Sequence, residues 1–366
     1  MHQDASGTRG SQRLTRLDDA PTMTDAQCFR SMPTGQFIYS NPRVIHWGPG
    51  SVVQLSAEVQ RLEALRIALV TTRSLLPFVE RLGLQPECTI VIGQHAPQAQ
   101  IDAGVAQACD VAADGIVSFG GGSAIDAAKI ISVRRAGADG KALPHLAIPT
   151  TLSVAELGVG AGLTNEGGDK AGMRDPRLLV ATVIYDAELT LATPMQLWLS
   201  TGIRALDHAV EGFLAPGEHP FNDPMALDAI RRLFDSLPRA KAAPEDVDVR
   251  TENQLAAWFS FTLPAASAAG LGHTMGKQIG ARHGIPHGVT SCLLLPHVMR
   301  YLAPHMPDRM SALPTPDEVY SFIGSLGLPQ HIASYGIGEP ELQRAASELA
   351  GKYPAEDLLG IYLAAL

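Results

Sequence analysis

The sequence predicts an α/β part built on a parallel sheet, followed by an all-helical part. Between about residues 35 and 192, apolar segments such as RIALVTT and GIVSFGGGS alternate with helix-like segments such as QIDAGVAQACDVAADG. From residue 193 onward, the patterned segments all fit helices that are interrupted by proline and glycine. Alternating strands and helices are typical of a parallel sheet with helices on its faces, so we expect two domains, at 35–192 and 193–366.

The first domain is predicted to begin with a strand in FIYSNPRVIHWG and a helix in SVVQLSAEVQRL. RIALVTT then forms a buried strand, SLLPFVERLGL a helix and TIVIG a strand. HLAIPTT forms the last strand, which ends at Pro149. The helices of the second domain are predicted from their apolar spacing in MQLWLSTGIRALDHAVEGFL, DPMALDAIRRLFDSLPRA, NQLAAWFSFTLPAASAAGLG and VTSCLLLPHVMRYLA.

Residues 1–34 are predicted to form a disordered tail. The segment is polar and lacks the hydrophobic core of a secretory signal, and Met23 is an alternative start to Met1. The four cysteines show no CxxC pairing, which favours reduced thiols and a cytoplasmic protein.

Composition excludes two classes of partner. Apolar residues make up 46% and charged residues 18% of the 366 residues, enough for a large packed core. The net charge of −9 is spread along the chain without a basic stripe, which argues against nucleic acid. No apolar run reaches the roughly 18–20 residues that a membrane span needs.

A glycine turn, Gly120, Gly121, Gly122 and Ser123, joins a buried strand to a helix. Glycines let backbone N–H groups approach a diphosphate, and the helix N-terminus adds partial positive charge. A tight turn without a ligand is the alternative interpretation.

The helix after this turn carries three further polar residues with expected roles. Ser123 is expected to be the N-cap, with Asp126 as its capping-box partner. Asp126 and Lys129 are otherwise expected to be solvated.

Two other strand ends carry polar residues. Thr150 and Thr151 follow HLAIP and are positioned either to bind a nucleotide or to cap the chain. Thr72 and Arg73 follow RIALVT, where an acid would bind a ribose 2′-hydroxyl, and Arg73 is either a partner for a 2′-phosphate or a surface residue. Together the turns favour a Rossmann-like dinucleotide site for NAD or NADP.

The helical part contains a cluster of candidate site residues. Arg204 and His208 lie four apart in GIRALDHAVEG, on one face of a predicted helix, although arginine cannot bind a metal ion. His273 and His287 lie in GLGHTMGKQIG and GIPHGVTSC. Each histidine has a purely structural role as its alternative.

These motifs together resemble the iron-containing (group III) alcohol dehydrogenase family. The resemblance covers roughly residues 35–366, and it implies a nucleotide-binding α/β domain, a helical domain and a site between them, an architecture shared with dehydroquinate synthase. The segments that carry it are GGGSAIDAAK, PTTLSVAE, NEGGDKAGMRDPRLL, VIYDAELT, STGIRALDHAVEG and GLGHTMGKQIGARHGIPHGVTSCLLLPHVMRY.

The resemblance also implies an altered metal site. Metal-bearing members hold a divalent ion, often iron or zinc, with one aspartate and three histidines, which match Arg204, His208, His273 and His287 in this sequence. A further histidine of the family falls at Lys277. We therefore expect no metal, unless Arg204 swings away and leaves the three histidines to bind iron or zinc.

Asp207 is close to this set in sequence. On an ideal helix it lies about 300° around from Arg204, so we interpret it as a poor substitute ligand.

NEGGDKAGMRDPRLL and VIYDAELT resemble the maleylacetate reductase branch, which is generally thought to work without metal. This implies NAD(P)H-dependent hydride transfer to a small anionic oxo acid. We expect Arg204 and Lys277, with the histidines, including His208, as donors, to supply fixed positive charge or to hold a substrate carboxylate. His273, His287 or Lys277 is expected to be the proton donor. The analogy also implies a homodimer. The alternatives are a metal-dependent alcohol or aldehyde reductase, a dehydroquinate synthase-like reaction, and a silent nucleotide-binding protein.

Overall fold

The computed structural model describes residues 42, 44–136, 140–167, 170–215, 218–262 and 270–366. The tail predicted at residues 1–34 lies outside the described residues.

A six-stranded parallel sheet and a separate hairpin contain all the strands of the described residues. The strands are β1 (Val44–Trp47), β2 (Ile67–Thr71), β3 (Cys88–Val91), β4 (Gly115–Gly120), β5 (His145–Pro149), β6 (Gly160–Thr164), β7 (Lys170–Arg174) and β8 (Thr182–Tyr185). The sheet order is β1–β8–β5–β4–β2–β3, and every pairing in it is parallel. All residues of the four central strands are buried, as in a sheet covered on both faces. The predicted α/β class is confirmed.

The antiparallel hairpin of β6 and β7 was not predicted. Its strands, GAGLT and KAGMR, are rich in glycine and alanine, and Thr164 is their one β-branched residue, so the signal that usually indicates a strand is weak.

The helices surround the sheet in the first half and pack on one another in the second. They are α1 (Leu55–Arg61), α2 (Gln98–Asp110), α3 (Gly122–Arg134), α4 (Met195–Leu214), α5 (Asn222–Ala242), α6 (Val247–Phe259), α7 (Leu271–His283), α8 (His287–Leu302), α9 (Pro307–Met310), α10 (Pro316–Ser325), α11 (Glu339–Leu349) and α12 (Ala355–Ala364). The helix predicted in SLLPFVERLGL is a 3₁₀ helix, Arg73–Leu82, and Pro77 within it cannot donate an α-helical hydrogen bond. No helix of the described residues combines the length and apolar character that crossing a bilayer requires.

The central helix α4 is buried on all sides, because it packs against α5, α6 and α8. Every residue from Trp198 to Leu214 is buried. The sequence pattern predicts an apolar spine and a polar side, and the polar side also lies inside the protein. Such a buried polar side needs partners within the structure.

Glu58 of α1 ties this helix to the sheet. Its Oε2 accepts hydrogen bonds from Thr182 Oγ1 and Arg61 Nε, both at 2.8 Å, and its Oε1 lies 3.1 Å from His46 Nε2. Burial by itself raises the pKa of this carboxyl, but the hydrogen bonds outweigh it and lower the pKa to about 2.

We expect Glu58→Gln to lower the free energy of unfolding at pH 7 by about 2–3 kcal/mol. Because the folded pKa is depressed, this stabilisation is present above the unfolded pKa of about 4.5 and is lost as the pH falls towards 2. Denaturant titrations between pH 7 and pH 3 measure it, with the exposed Glu80→Gln as the control. If Glu58→Gln lowered the free energy of unfolding equally at pH 7 and pH 3, the stabilisation would not come from the ionised Glu58 carboxylate.

Candidate active site

A cavity of 1340 Å³ lies between the carboxyl ends of the strands and the helices α4, α7 and α8. Ligands of open parallel sheets bind at this edge. Of the residues predicted to bind a cofactor, Gly120 does not line the cavity, whereas the others do: Thr72, Gly121, Gly122, Ser123, Thr150 and Thr151. Arg73 also lines it, next to Thr72.

The glycine turn packs tightly against the segment that follows β5. A Cβ atom added to Gly121 would lie 2.8 Å from Thr151 Cγ2, and one added to Gly122 would lie 3.2 Å from Ser153 Oγ. Gly122 also opens α3, so the helix N-terminus faces this part of the cavity. A side-chain-free turn at a helix N-terminus fits the diphosphate of a dinucleotide.

The predicted capping role of Ser123 is wrong. Gly121 is the N-cap of α3, and Ser123 Oγ instead accepts a hydrogen bond from His95 N at 2.9 Å. The expectation for Asp126 is also wrong, since its Oδ2 accepts from Gly162 N at 3.0 Å. Lys129, expected to be solvated, is fully buried. All three residues bind other chain segments because α3 lies under the cavity wall.

His95 is a cavity residue that the sequence did not indicate. Its backbone has a positive φ of 64°, as does that of Ala96 at 50°, which is uncommon for residues with a side chain. Its ring lies edge-on to that of His287, with centroids 6.4 Å apart. A single loop histidine carries no periodic signal, so only the fold reveals this neighbour.

The five residues predicted to be catalytic share the helical wall of the cavity. Arg204 and His208 lie on α4, His273 and Lys277 lie on α7, and His287 is the first residue of α8. Lys277 is exposed, whereas Arg204 and His208 are buried. The cofactor residues and this set therefore face one common cavity.

Arg204 forms a buried ion pair that the sequence did not predict. Its Nη1 donates to Asp207 Oδ2 at 3.0 Å and to Ser291 Oγ at 3.1 Å, and Ser291 Oγ donates to the same Asp207 oxygen at 2.7 Å. Burial raises the pKa of Asp207, and the guanidinium opposes this. Asp207 does not line the cavity, but a long arginine at i,i+3 reaches its carboxylate.

The other terminal nitrogen of Arg204 fixes the tautomer of the His273 ring. Arg204 Nη2 contacts His273 Nδ1, and because a guanidinium only donates, Nδ1 accepts and the proton of the neutral ring is on Nε2. The charge of Arg204 and burial lower the pKa of His273 well below its usual value. Burial, followed by Arg204, does the same for His208. Both imidazoles are therefore neutral near pH 7.

Glu211 positions the helix that carries His273. Its two carboxylate oxygens accept from Gly270 N at 3.0 Å and His273 N at 3.1 Å, which satisfies donors at the start of α7. Burial, more than any other cause, raises the pKa of Glu211 to about 8. The glycine at 270 is needed here, because an added Cβ would lie 2.5 Å from Glu211 Cδ.

The donor set does not fit a divalent metal ion. Among the described residues, no three His, Cys, Asp or Glu side chains are arranged to hold one. The guanidinium of Arg204 already occupies His273 Nδ1. A divalent ion about 4 Å from this cation would be repelled by about 8 kcal/mol at an effective dielectric constant near 20.

Comparison with known proteins identifies the family. The family model described as "Iron-containing alcohol dehydrogenase" matches residues 42–187. The model described as "Fe-containing alcohol dehydrogenase family, C-terminal" matches residues 198–352. A maleylacetate reductase of Sphingobium indicum is 31% identical over 339 residues, which covers 87% of this chain and 92% of the relative.

Solved structures agree with this assignment. Maleylacetate reductase from Agrobacterium tumefaciens has a TM-score of 0.81 at 27% identity, covering 91% of this chain and 99% of its own. Sulfoacetaldehyde reductase from Bifidobacterium kashiwanohense, solved in complex with NAD⁺, has a TM-score of 0.80 at 22% identity, covering 90% and 99%, and shows likeness of fold alone. The chain therefore belongs to the iron-containing alcohol dehydrogenase family and is an NAD(P)-dependent oxidoreductase.

Proposed function

We propose that this protein reduces the carbonyl group of a small anionic oxo acid, and that the Arg204 cluster replaces the metal ion found in other members of the family. The observation that carries the proposal is the buried guanidinium of Arg204 against His273, in the cavity that also holds the glycine turn. Maleylacetate is the first candidate substrate, because the similar curated proteins are maleylacetate reductases.

The cofactor side of the cavity supplies binding groups. Gly121, Gly122 and Ser123 bind the diphosphate, and Thr150 and Thr151 line the adjoining wall. A bound reduced nicotinamide supplies the hydride. The residues of this chain hold and orient the reactants beside the helical wall.

The helical wall stabilises negative charge that develops on the carbonyl oxygen. His273 offers a fixed Nε2–H, and Arg204 provides a permanent positive charge in a buried environment. Preorganised donors of this kind contribute most when the oxygen becomes an anion. This is the task that a metal ion performs elsewhere by polarising the carbonyl.

The neutral state of His273 makes it a weak proton source. Its role is to donate a hydrogen bond, which leaves Lys277 and His287 as proton donors among the candidates.

A substrate carboxylate needs a cation with free donors. Arg204 Nη1 already donates to Asp207 and Ser291. The exposed ammonium of Lys277 is therefore also the better partner for a substrate carboxylate.

NADH and NADPH oxidation with maleylacetate and with butanal tests the substrate class. We expect kcat/KM to be at least about tenfold higher for maleylacetate, since each tenfold is about 1.4 kcal/mol of transition-state binding. Higher kcat/KM with the neutral aldehyde would overturn the anionic-substrate proposal. A cofactor-induced rise in Tm without turnover would instead indicate a silent nucleotide-binding protein.

Lys277→Met should raise KM for maleylacetate by about tenfold or more and leave KM for butanal nearly unchanged, because a charge-assisted contact is lost only with the anion, whereas a loss of proton donation would lower kcat with both compounds. Steady-state kinetics with both compounds measure the difference, and Lys352→Met is the matched control on an exposed lysine away from the cavity. An equal rise in KM for both compounds, or no rise for maleylacetate, would show that Lys277 does not recognise a carboxylate.

A further inference from the structure

Lys129 on α3 is a buried ammonium directed at the backbone behind the cavity wall. The residue is fully buried and does not line the cavity itself. Its Nζ donates to the carbonyl oxygens of Ala155, Gly158 at 2.6 Å and Gly160 at 3.1 Å. An ammonium has three donors, so all of its hydrogen-bonding capacity is used on this one segment.

The residues that supply these carbonyls line the cavity. They lie in the segment 155–162, which runs from the short 3₁₀ helix Ala155–Leu157 into the first residues of the hairpin strand β6. One turn earlier on α3, Asp126 Oδ2 accepts from Gly162 N at 3.0 Å. Helix α3 therefore holds the segment at two places. Asp126 accepts a hydrogen bond from its last residue, and Lys129 donates hydrogen bonds to three carbonyl groups along it.

Such a buried ion is costly for stability alone. Burial lowers the pKa of Lys129, while Asp126 and Glu156 oppose this shift. An apolar side chain would fill the same space without desolvating a charge. The lysine instead specifies where three carbonyl groups point, which an apolar residue cannot do.

We propose that Lys129, assisted by Asp126, is a positioning residue that fixes the cavity wall 155–162 relative to the glycine turn and thereby sets cofactor affinity. The turn Gly121–Gly122 opens α3, and Lys129 lies seven residues beyond Gly122 on the same helix. One rigid element thus determines the separation of the two walls. The proposal does not depend on which carbonyl compound is reduced.

Lys129→Met removes the ammonium and keeps the chain length of the side chain. We expect the Kd for NADH and NADPH, from fluorescence titration, to rise at least about tenfold. Without cofactor, hydrogen exchange of the amides in 155–162 should accelerate at least about tenfold, while amides of β2 and β4 keep their protection. Lys352→Met is the control for losing a lysine elsewhere.

A chemical rescue separates positioning from stability. In Lys129→Ala, ethylammonium should restore slow exchange in 155–162 and lower the Kd again, whereas tetramethylammonium, which has no N–H donor, should not. A Kd within twofold of wild type in Lys129→Met would overturn the proposal. So would exchange that accelerates equally in β2 and β4, which would show a role in global stability only.

Asp126→Asn decides the matter if the lysine variants do not fold. It weakens the hold on Gly162 while keeping the size of the side chain. We expect faster exchange at residues 160–162 and a Kd at least about threefold higher, with β2 and β4 unchanged. Unaltered exchange and Kd in this folded variant would overturn the proposal.

Discussion

Arg204→Gln should lower kcat/KM for the anionic substrate by about 10²–10³-fold, and added Fe²⁺ or Zn²⁺ should not restore it. Removing one preorganised charge from an oxyanion site has an effect of this size. The guanidinium also holds His273 Nδ1 as an acceptor, so its loss frees the ring to change tautomer. Steady-state kinetics with and without added metal measure the effect.

The same variant leaves the buried Asp207 without its cation, at a cost of about 3–5 kcal/mol in the free energy of unfolding. The double variant Arg204→Gln/Asp207→Asn should recover most of this stability and none of the activity. Recovered activity would contradict our account, because Arg204 would then serve only as the counter-ion of Asp207. Arg231→Gln is the control, since Arg231 is exposed and pairs with Asp228 at the surface and such pairs contribute about 0–1 kcal/mol.

Gly121→Val should weaken NADH and NADPH binding by at least about 100-fold while the protein still folds. An added Cβ already lies 2.8 Å from Thr151 Cγ2, and a branched side chain would extend into the space that the diphosphate needs. Fluorescence titration gives the Kd, and circular dichroism checks the fold. Gly360→Val is the control, because a Cβ added at Gly360 would meet no atom within 4 Å. An unchanged Kd would place the cofactor elsewhere.

The fold was largely predictable because the central strands of the parallel sheet have sequence patterns typical of buried strands. β2 and β4 are short apolar runs that end in polar or glycine turns, and such runs indicate buried parallel strands. The hairpin of β6 and β7 was missed, since glycine and alanine in its strands give no β-propensity signal. Its position depends on contacts with α3, which are tertiary.

The candidate site was predictable where chemistry is concentrated in a few residue types. Glycines at a strand–helix junction indicated the cofactor wall of the cavity, and the resemblance to the family indicated the helical wall, including Lys277. The partners of these residues were not predictable: Asp207 was considered only as a metal ligand, and Lys129 was assigned to solvent because lysine is rarely buried. The Asp207–Ser291 contact and the hydrogen bonds of Lys129 join groups that are far apart in sequence and meet only in the folded protein.

In our proposal, a cationic cluster around Arg204 does the work of a metal ion. Metal content of the purified protein and NADH oxidation with maleylacetate, before and after EDTA treatment, test this substitution. We predict far less than one metal ion per chain and a kcat/KM that EDTA does not change. Activity abolished by EDTA and restored by Fe²⁺ or Zn²⁺ would contradict the claim, because Arg204 would then leave His273 and let the three histidines bind a metal ion.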